Sequence, residues 1–244
     1  LRADTARQLP ALERLRARGA SAVSIVPFPV SQPSWTTLIS GADSEINDAT
    51  LGNAMVSTMR PIAPESLFHT ARRANLNVAF AGWHIWEPML AGLTRDEIFF
   101  GDGDYPLVDR RVADAAARFA QYFSPNLLIV YLGLPDEVGH EFGAASENYR
   151  QAALHTDQLI ETIASAMDFK RATLIVTSDH GHIAQGGHGG AEPEVVRAPF
   201  VAVGARIVPG DLGVIRETDI APTVAALMGG SIPSAAQGSI LFDM

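Results

Sequence analysis

The sequence contains no cysteine. That excludes disulfide frameworks, thiolate metal sites and cysteine nucleophiles, and it leaves the redox compartment open. No apolar run reaches the roughly 18 residues that a spanning helix needs, and no signal peptide is visible. Positive charge is scarce: 18 Lys and Arg stand against 27 Asp and Glu, a net charge of −9 with a pI near 5.2. This balance argues against a nucleic-acid polymer or an anionic membrane surface as the main partner. There is no internal repeat, no low-complexity tract and no linker long enough to separate two units. Residues 1–244 are therefore expected to form one domain, and the 47% hydrophobic content suffices for a full core. The chain opens at Leu1 rather than Met, and trimming at the N-terminus is expected.

What is present is an alternation of short apolar runs with amphipathic stretches. Strands are expected at Ala22–Val26, Asn77–Ala81, Leu127–Leu132, Thr173–Thr177 and Phe200–Val203. Their β-branched and apolar residues fall on both parities, the pattern of strands covered on both faces. Val108, Val112, Ala115, Ala116, Phe119 and Tyr122 trace one helical stripe; Ala152, Leu159, Ile160, Ile163 and Met167 trace another, with Ser146 as its N-cap. Gly19 closes a first helix built from Ala11 to Arg18. The predicted class is α/β, a mainly parallel central sheet flanked by helices on both faces. In such sheets ligands sit at the carboxyl ends of strands.

Three of the five runs carry chemistry there. After Thr177 come Ser178, Asp179, His180, Gly181 and His182, then Gly186, Gly187, His188, Gly189 and Gly190. A carboxylate beside imidazoles supplies ligands for Zn²⁺ or Mn²⁺, and the glycines permit tight turns; a solvated glycine-rich turn is the plainer alternative. After Leu132, Asp136 and His140 are four apart, so one helical turn places them on the same side. They could equally be a capping aspartate and a surface histidine, with Glu137 solvated. After Val26, Pro33 suits a first helical turn, which puts Ser31 at a helix N-terminus where an anion is favoured. A hydroxyl there is either a plain N-cap or, with a metal to lower its pKa, a nucleophile towards phosphate.

Together these segments resemble the alkaline phosphatase superfamily and, within it, the type I phosphodiesterase/nucleotide pyrophosphatase branch. Ser178-Asp179-His180-Gly181 is similar to the second-metal motif, Asp136-x-x-x-His140 to the first-metal pair, and His188 in Gly-Gly-His-Gly-Gly to the later histidine of that site. Ser31-Gln32-Pro33-Ser34-Trp35 resembles the nucleophile turn, and Thr218–Thr223 a segment near the last helix in which Asp219 is read as a structural cap. The resemblance implies a three-layer sandwich and two divalent ions, Zn²⁺ or else Mn²⁺. Asp136, His140 and His188 would hold one; Asp179, His180 and the Ser31 oxygen the other. Ser31 would be the catalytic nucleophile, forming a phosphoserine on the way to hydrolysis of a small-molecule phosphodiester or pyrophosphate. The family pattern also has an aspartate at the end of a first strand, so that strand is expected to lie upstream of Leu1. An extracytoplasmic or membrane-tethered setting fits the family, although the sequence itself locates the chain nowhere.

Ser34, Trp83 and His84 are expected to meet substrate, since neutral and aromatic groups suit a monoanionic diester. Trp86 shares that strand end, where a hydrophobic cluster under a loop is the other reading. His69, His155 and His182 are read as lying outside the ligand set, and Asp102 and Asp104 as a turn. The rival functions are a phosphomonoesterase, a phosphotransferase of the phosphoglycerate mutase or phosphoethanolamine type, a sulfatase, and a metal-poor binding homologue. For the sulfatase, Trp35 stands where its motif has arginine.

Overall fold

The computed structural model describes residues 1–50 and 58–242. In chain order these form α1 (Ala3–Ala6), α2 (Pro10–Arg16), β1 (Ala20–Ile25), α3 (Ser31–Ser40), α4 (Leu67–Arg73), β2 (Val78–Trp83), β3 (Glu97–Gly101) and α5 (Tyr105–Arg118). There follow β4 (Leu127–Val130), α6 (Leu134–Phe142), α7 (Glu147–Ser165), β5 (Thr173–Thr177), α8 (Pro193–Val196), β6 (Arg197–Gly204), β7 (Gly210–Arg216) and α9 (Ile220–Leu227). The fold is α/β, with sheets flanked by helices. Among the described residues the strands form two hydrogen-bonded ladders: β3-β2-β4, all parallel, and β5-β6-β1-β7, in which β6 runs antiparallel to both neighbours while β1 and β7 are parallel.

The double-sided burial expected of the strands is explicit in β2. Val78 and Phe80 pack with Trp35, Phe68, Trp86 and Leu90, while Ala79, Ala81 and Trp83 pack with Val108, Val112 and Leu159 on the other side. β6 does the same, Val201 and Val203 facing Leu12 and Ile160, Phe200 and Ala202 facing Ile215 and Ile220. Period-two alternation sends successive side chains to opposite faces, so two covered faces require apolar residues at both parities. β3 and β7 are not among the expected strands: β3 carries only the short Ile98-Phe99-Phe100 run, whose two phenylalanines pack into different cores, and β7 is mostly exposed.

Two helical expectations are modified. α5 buries Val108, Val112, Ala115 and Ala116, but the chain then widens into a π turn over Phe119–Phe123. The looser winding rotates the stripe, and Tyr122 emerges 71% exposed. α2 ends at Arg16, and Gly19 serves close approach: a Cβ there would lie 2.1 Å from the Ala202 carbonyl oxygen. Ser146 does cap α7, accepting from the Tyr149 N–H at 3.1 Å. Asp219 is structural, as expected, but its carboxylate turns away from α9 to accept from the Arg216 and Ser239 backbone N–H groups, both at 2.8 Å.

Candidate active site

α3, α6 and the loop after β5 deliver their polar residues to one place. Ser31 opens α3, after a Val30 that is extended, and Gly41 closes the helix in the left-handed conformation. Ser31 Oγ lies 3.4 Å from His180 Nε2. That nitrogen is 3.3 Å from Asp179 Oδ2 and 3.7 Å from Asp136 Oδ1. Asp136 Oδ1 is the hub: His182 Nε2 is 3.0 Å away, His188 Nε2 3.4 Å and His140 Nε2 3.7 Å. The six expected ligand residues are thus brought together, and His182 joins them, fully buried.

The nitrogens are oriented by their outer contacts. His180 Nδ1 lies 3.0 Å from the Gly181 carbonyl, which can only accept, so Nδ1 carries the proton and Nε2 of the neutral ring is left with its lone pair. Burial pushes the His180 pKa down to about 4, which keeps the ring neutral. His140 is lowered too, chiefly by burial. Burial would raise the Asp136 carboxyl, but the hydrogen bond from His182 and the close His188 imidazole outweigh it and hold Asp136 well below the usual carboxylate range. Nearby phenols feel the carboxylates: burial, then the charges of Asp136 and Asp179, raise Tyr131, and burial with Glu137 and Asp136 pushes Tyr105 up to about 12.

This donor set fits divalent metal. Asp136, His180, His182 and His188 each offer a ligand atom within 4.8 Å of the others. His188 Nε2 is buried without a hydrogen bond. Nitrogen and carboxylate oxygen in such number suit Zn²⁺ or Mn²⁺.

Two acids outside the expected set hold the frame. Asp109, buried on α5, accepts from the N–H groups of Gly133 (3.0 Å) and Leu134 (2.8 Å), the start of α6, and from the Trp83 indole at 2.9 Å. Burial nevertheless raises its pKa. Ser34 Oγ lies 2.9 Å from the Asp179 carbonyl oxygen and in a short hydrogen bond with Glu217 Oε1. A hydroxyl has one proton to give. If it goes to the carbonyl, the Glu217 carboxyl must supply the other, and burial raises Glu217 well above the ordinary range, in the same sense. In sequence Asp109 differs from its neighbours only as an acid beside an apolar stripe, and Glu217 adjoins the Thr218–Thr223 segment without other signal.

Of the residues expected at substrate, Ser34 is buried with its hydroxyl engaged. Trp83 is buried, bonded to Asp109 and stacked 3.9 Å from Tyr105. His84 alone of the three keeps substantial exposure, its Nδ1 3.4 Å from Asp102 Oδ1. Trp86 is in the core, 4.8 Å from Trp35. His69 closes a capping box with Ser66 at the start of α4.

With the fold and the geometry of this cluster in hand, the chain can be set beside known proteins. The structure superposes on human ectonucleotide pyrophosphatase/phosphodiesterase 5 with a TM-score of 0.79 at 15% identity, covering 98% of this chain and 94% of that one. It also superposes on a 2-O GAG sulfatase with a TM-score of 0.70 at 16% identity, over 96% and 68%. At these identities the likeness is one of fold. In sequence, the catalytic subunit of human GPI ethanolamine phosphate transferase 2 is 28% identical over 199 residues, 74% of this chain and 20% of that protein. A 2,3-bisphosphoglycerate-independent phosphoglycerate mutase of Haloquadratum walsbyi is 35% identical over 141 residues, 54% and 27%. The chain thus spans about a fifth to a quarter of these relatives. The model of the type I phosphodiesterase / nucleotide pyrophosphatase family matches residues 1–185. The chain belongs to that family.

Proposed function

We propose that the chain is a two-metal phosphoryl-transfer hydrolase that acts on a phosphodiester or pyrophosphate with Ser31 as nucleophile. The observation that carries this reading is the placing of the Ser31 hydroxyl at the start of α3, 3.4 Å from a His180 Nε2 that is itself 3.3 Å from Asp179 and 3.7 Å from Asp136. Asp136, His140 and His188 would hold one ion, and Asp179, His180 and Ser31 Oγ the other. Bound there, such ions supply charge neutralisation for the phosphoryl group and lower the pKa of coordinated hydroxyl and water.

The chain's own residues do the rest. Ser31 Oγ forms the bond to phosphorus as the bond to the leaving alcohol breaks, giving a phosphoserine. Water then forms the new P–O bond as the Oγ–P bond breaks, and Ser31 is restored. The first turn of α3 has N–H groups without helical partners, which favour the phosphoryl charge. The Gly181 carbonyl holds the His180 ring, and Asp109 holds the start of α6, so neither must reorganise during the reaction. His84 is the side chain assigned to the substrate's organic group; Ser34 and Trp83 act as supports.

The test is turnover of an aryl phosphodiester against the matching monoester with Zn²⁺ or Mn²⁺ supplied, in wild type and Ser31→Ala. The diester is expected to be the better substrate and the variant inactive on both. Activity that survives Ser31→Ala removes the nucleophile assignment. A second reading is favoured by the ethanolamine phosphate transferase relatives: transfer of the phosphoryl group from Ser31 to an alcohol in place of water. Added acceptor alcohol that partitions product away from hydrolysis, without changing the rate of phenol release, would favour it.

A further inference from the structure

His182 lies next to the expected ligands and meets the Asp136 carboxylate. Its ring is wholly buried. On one side Nδ1 lies 3.1 Å from the Gly187 carbonyl oxygen. On the other side Nε2 reaches Asp136 Oδ1 at 3.0 Å. The ring thereby spans from one candidate ligand on α6 to the residue immediately before another, His188. Gly187 is drawn in further by its own N–H to the Gly139 carbonyl at 3.3 Å and by the Ile183 N–H to its carbonyl at 3.2 Å.

The ring has room only because α6 carries glycine at position 139. A Cβ there would stand 2.6 Å from the Cγ and Cδ2 atoms of His182, closer than side-chain atoms approach. Glycine in a helix interior is unfavourable by itself, and Gly139 sits on the face of α6 one turn from Asp136. The notch and the imidazole that fills it form a matched pair.

We infer that His182 is a positioning residue: seated in the notch at Gly139, it fixes the Asp136 carboxylate and the approach of His188 to each other, and so sets the affinity of the metal these two residues share. This rests on the metal reading above. A supporting partner of a ligand commonly governs affinity by 10- to 100-fold.

The experiment measures Zn²⁺ stoichiometry by elemental analysis and Zn²⁺ dissociation constants by chelator competition, with circular dichroism as a control of folding. The wild type, His182→Ala, His182→Gln, Gly139→Ala and the double variant are compared. His182→Ala should weaken one Zn²⁺ by roughly 10- to 100-fold. His182→Gln, which keeps an N–H at the same reach, should recover part of that loss. Gly139→Ala, which leaves every polar group in place, should weaken the same ion by crowding the ring. In the His182→Ala background the added methyl has space, so the double variant should bind no worse than His182→Ala and should melt higher, alanine being the better helix former.

Wild-type binding with Gly139→Ala unaffected, or losses that multiply in the double variant, would overturn the positioning role and leave the metal reading standing. So would a changed Co²⁺ ligand-field spectrum in saturated His182→Ala, which would make His182 a ligand itself. Failure of the wild type to bind Zn²⁺ would overturn both. Gly139→Ala decides the matter even where His182→Ala does not fold.

Discussion

Helix α6 and the loop after β5 supply comparable groups to one point, yet they are held by different means. On α6, Asp136 and His140 are presented by helical regularity, four residues apart, and the helix start is tied down by the side chain of Asp109 on α5. In the loop, Gly186, Gly187 and Gly189 take φ values of +117°, +83° and +76°, and the imidazoles of His180 and His182 are oriented by backbone carbonyls. The helical half depends on one distant acid. The loop half depends on many local backbone contacts, with Ser34 and Glu217 bracing it from α3 and from the turn after β7. Loss of a single side chain should therefore be felt more sharply in the first half than in the second.

Breaking the hub is expected to have the largest effect. Asp136→Ala removes the carboxylate that four imidazoles face, and Zn²⁺ binding measured by elemental analysis should fall by more than the roughly 10- to 100-fold that loss of a supporting partner costs. Retained full stoichiometry would break the picture of Asp136 as the shared centre.

Next is the remote anchor. Asp109→Ala strands three buried donors, two at the start of α6 and the Trp83 indole. An unpaired buried group costs about 1–3 kcal/mol, so urea unfolding should show a loss of about 3 kcal/mol or more. Asp109→Asn, which keeps one acceptor oxygen, should lose less. A loss below about 1 kcal/mol for Asp109→Ala would mean that the α6 start finds other partners.

A sharper test of the loop half uses pH. The folded Glu217 binds its proton more tightly than the unfolded chain, whose carboxyl has the ordinary pKa of 4.5. Its contribution is fully present below pH 4.5 and is lost as pH rises towards the folded value. Glu217→Gln keeps a donor for Ser34 and has no proton to lose. The stability of the variant relative to wild type should therefore increase between pH 5 and pH 8 in denaturant unfolding. A pH-independent difference would show that the buried carboxyl is not held neutral.

The smallest effect belongs to a cap that meets α6 only at its C-cap, Gly143. Ser146→Ala should cost α7 about 1 kcal/mol, seen as a lower urea midpoint with Zn²⁺ affinity unchanged.

Hydrophobic patterning made β2, β6 and the stripes of α5 and α7 legible, because burial on two faces leaves its mark on consecutive residues. Strand β7 left no such mark, since it is paired while mostly exposed, and in β3 the mark is only three residues long. Motif order made Ser31, Asp136, His140, Asp179, His180 and His188 legible as candidates, because each group follows a strand end by a short connection. His182 was passed over, although it stands two residues from His180. Spacing shows that a histidine is near a site; which side of the site its ring lies on depends on Gly139, more than forty residues away in sequence.

By itself, then, the sequence determined the alternation of strands and helices, the three segments that carry polar groups, and the exclusion of thiol chemistry. These are local properties, readable from neighbours within a turn or two. Tertiary structure alone decided that Asp136 is the common centre, that Ser34 and Trp83 are engaged inside the protein, and that Asp109 and Glu217 bear on the site. Each of those facts depends on a hydrogen bond between residues far apart in the chain, such as Trp83 to Asp109, Ser34 to Glu217 and His182 to Asp136. The partner of a buried polar group is set by packing, because the interior offers no water to take its place.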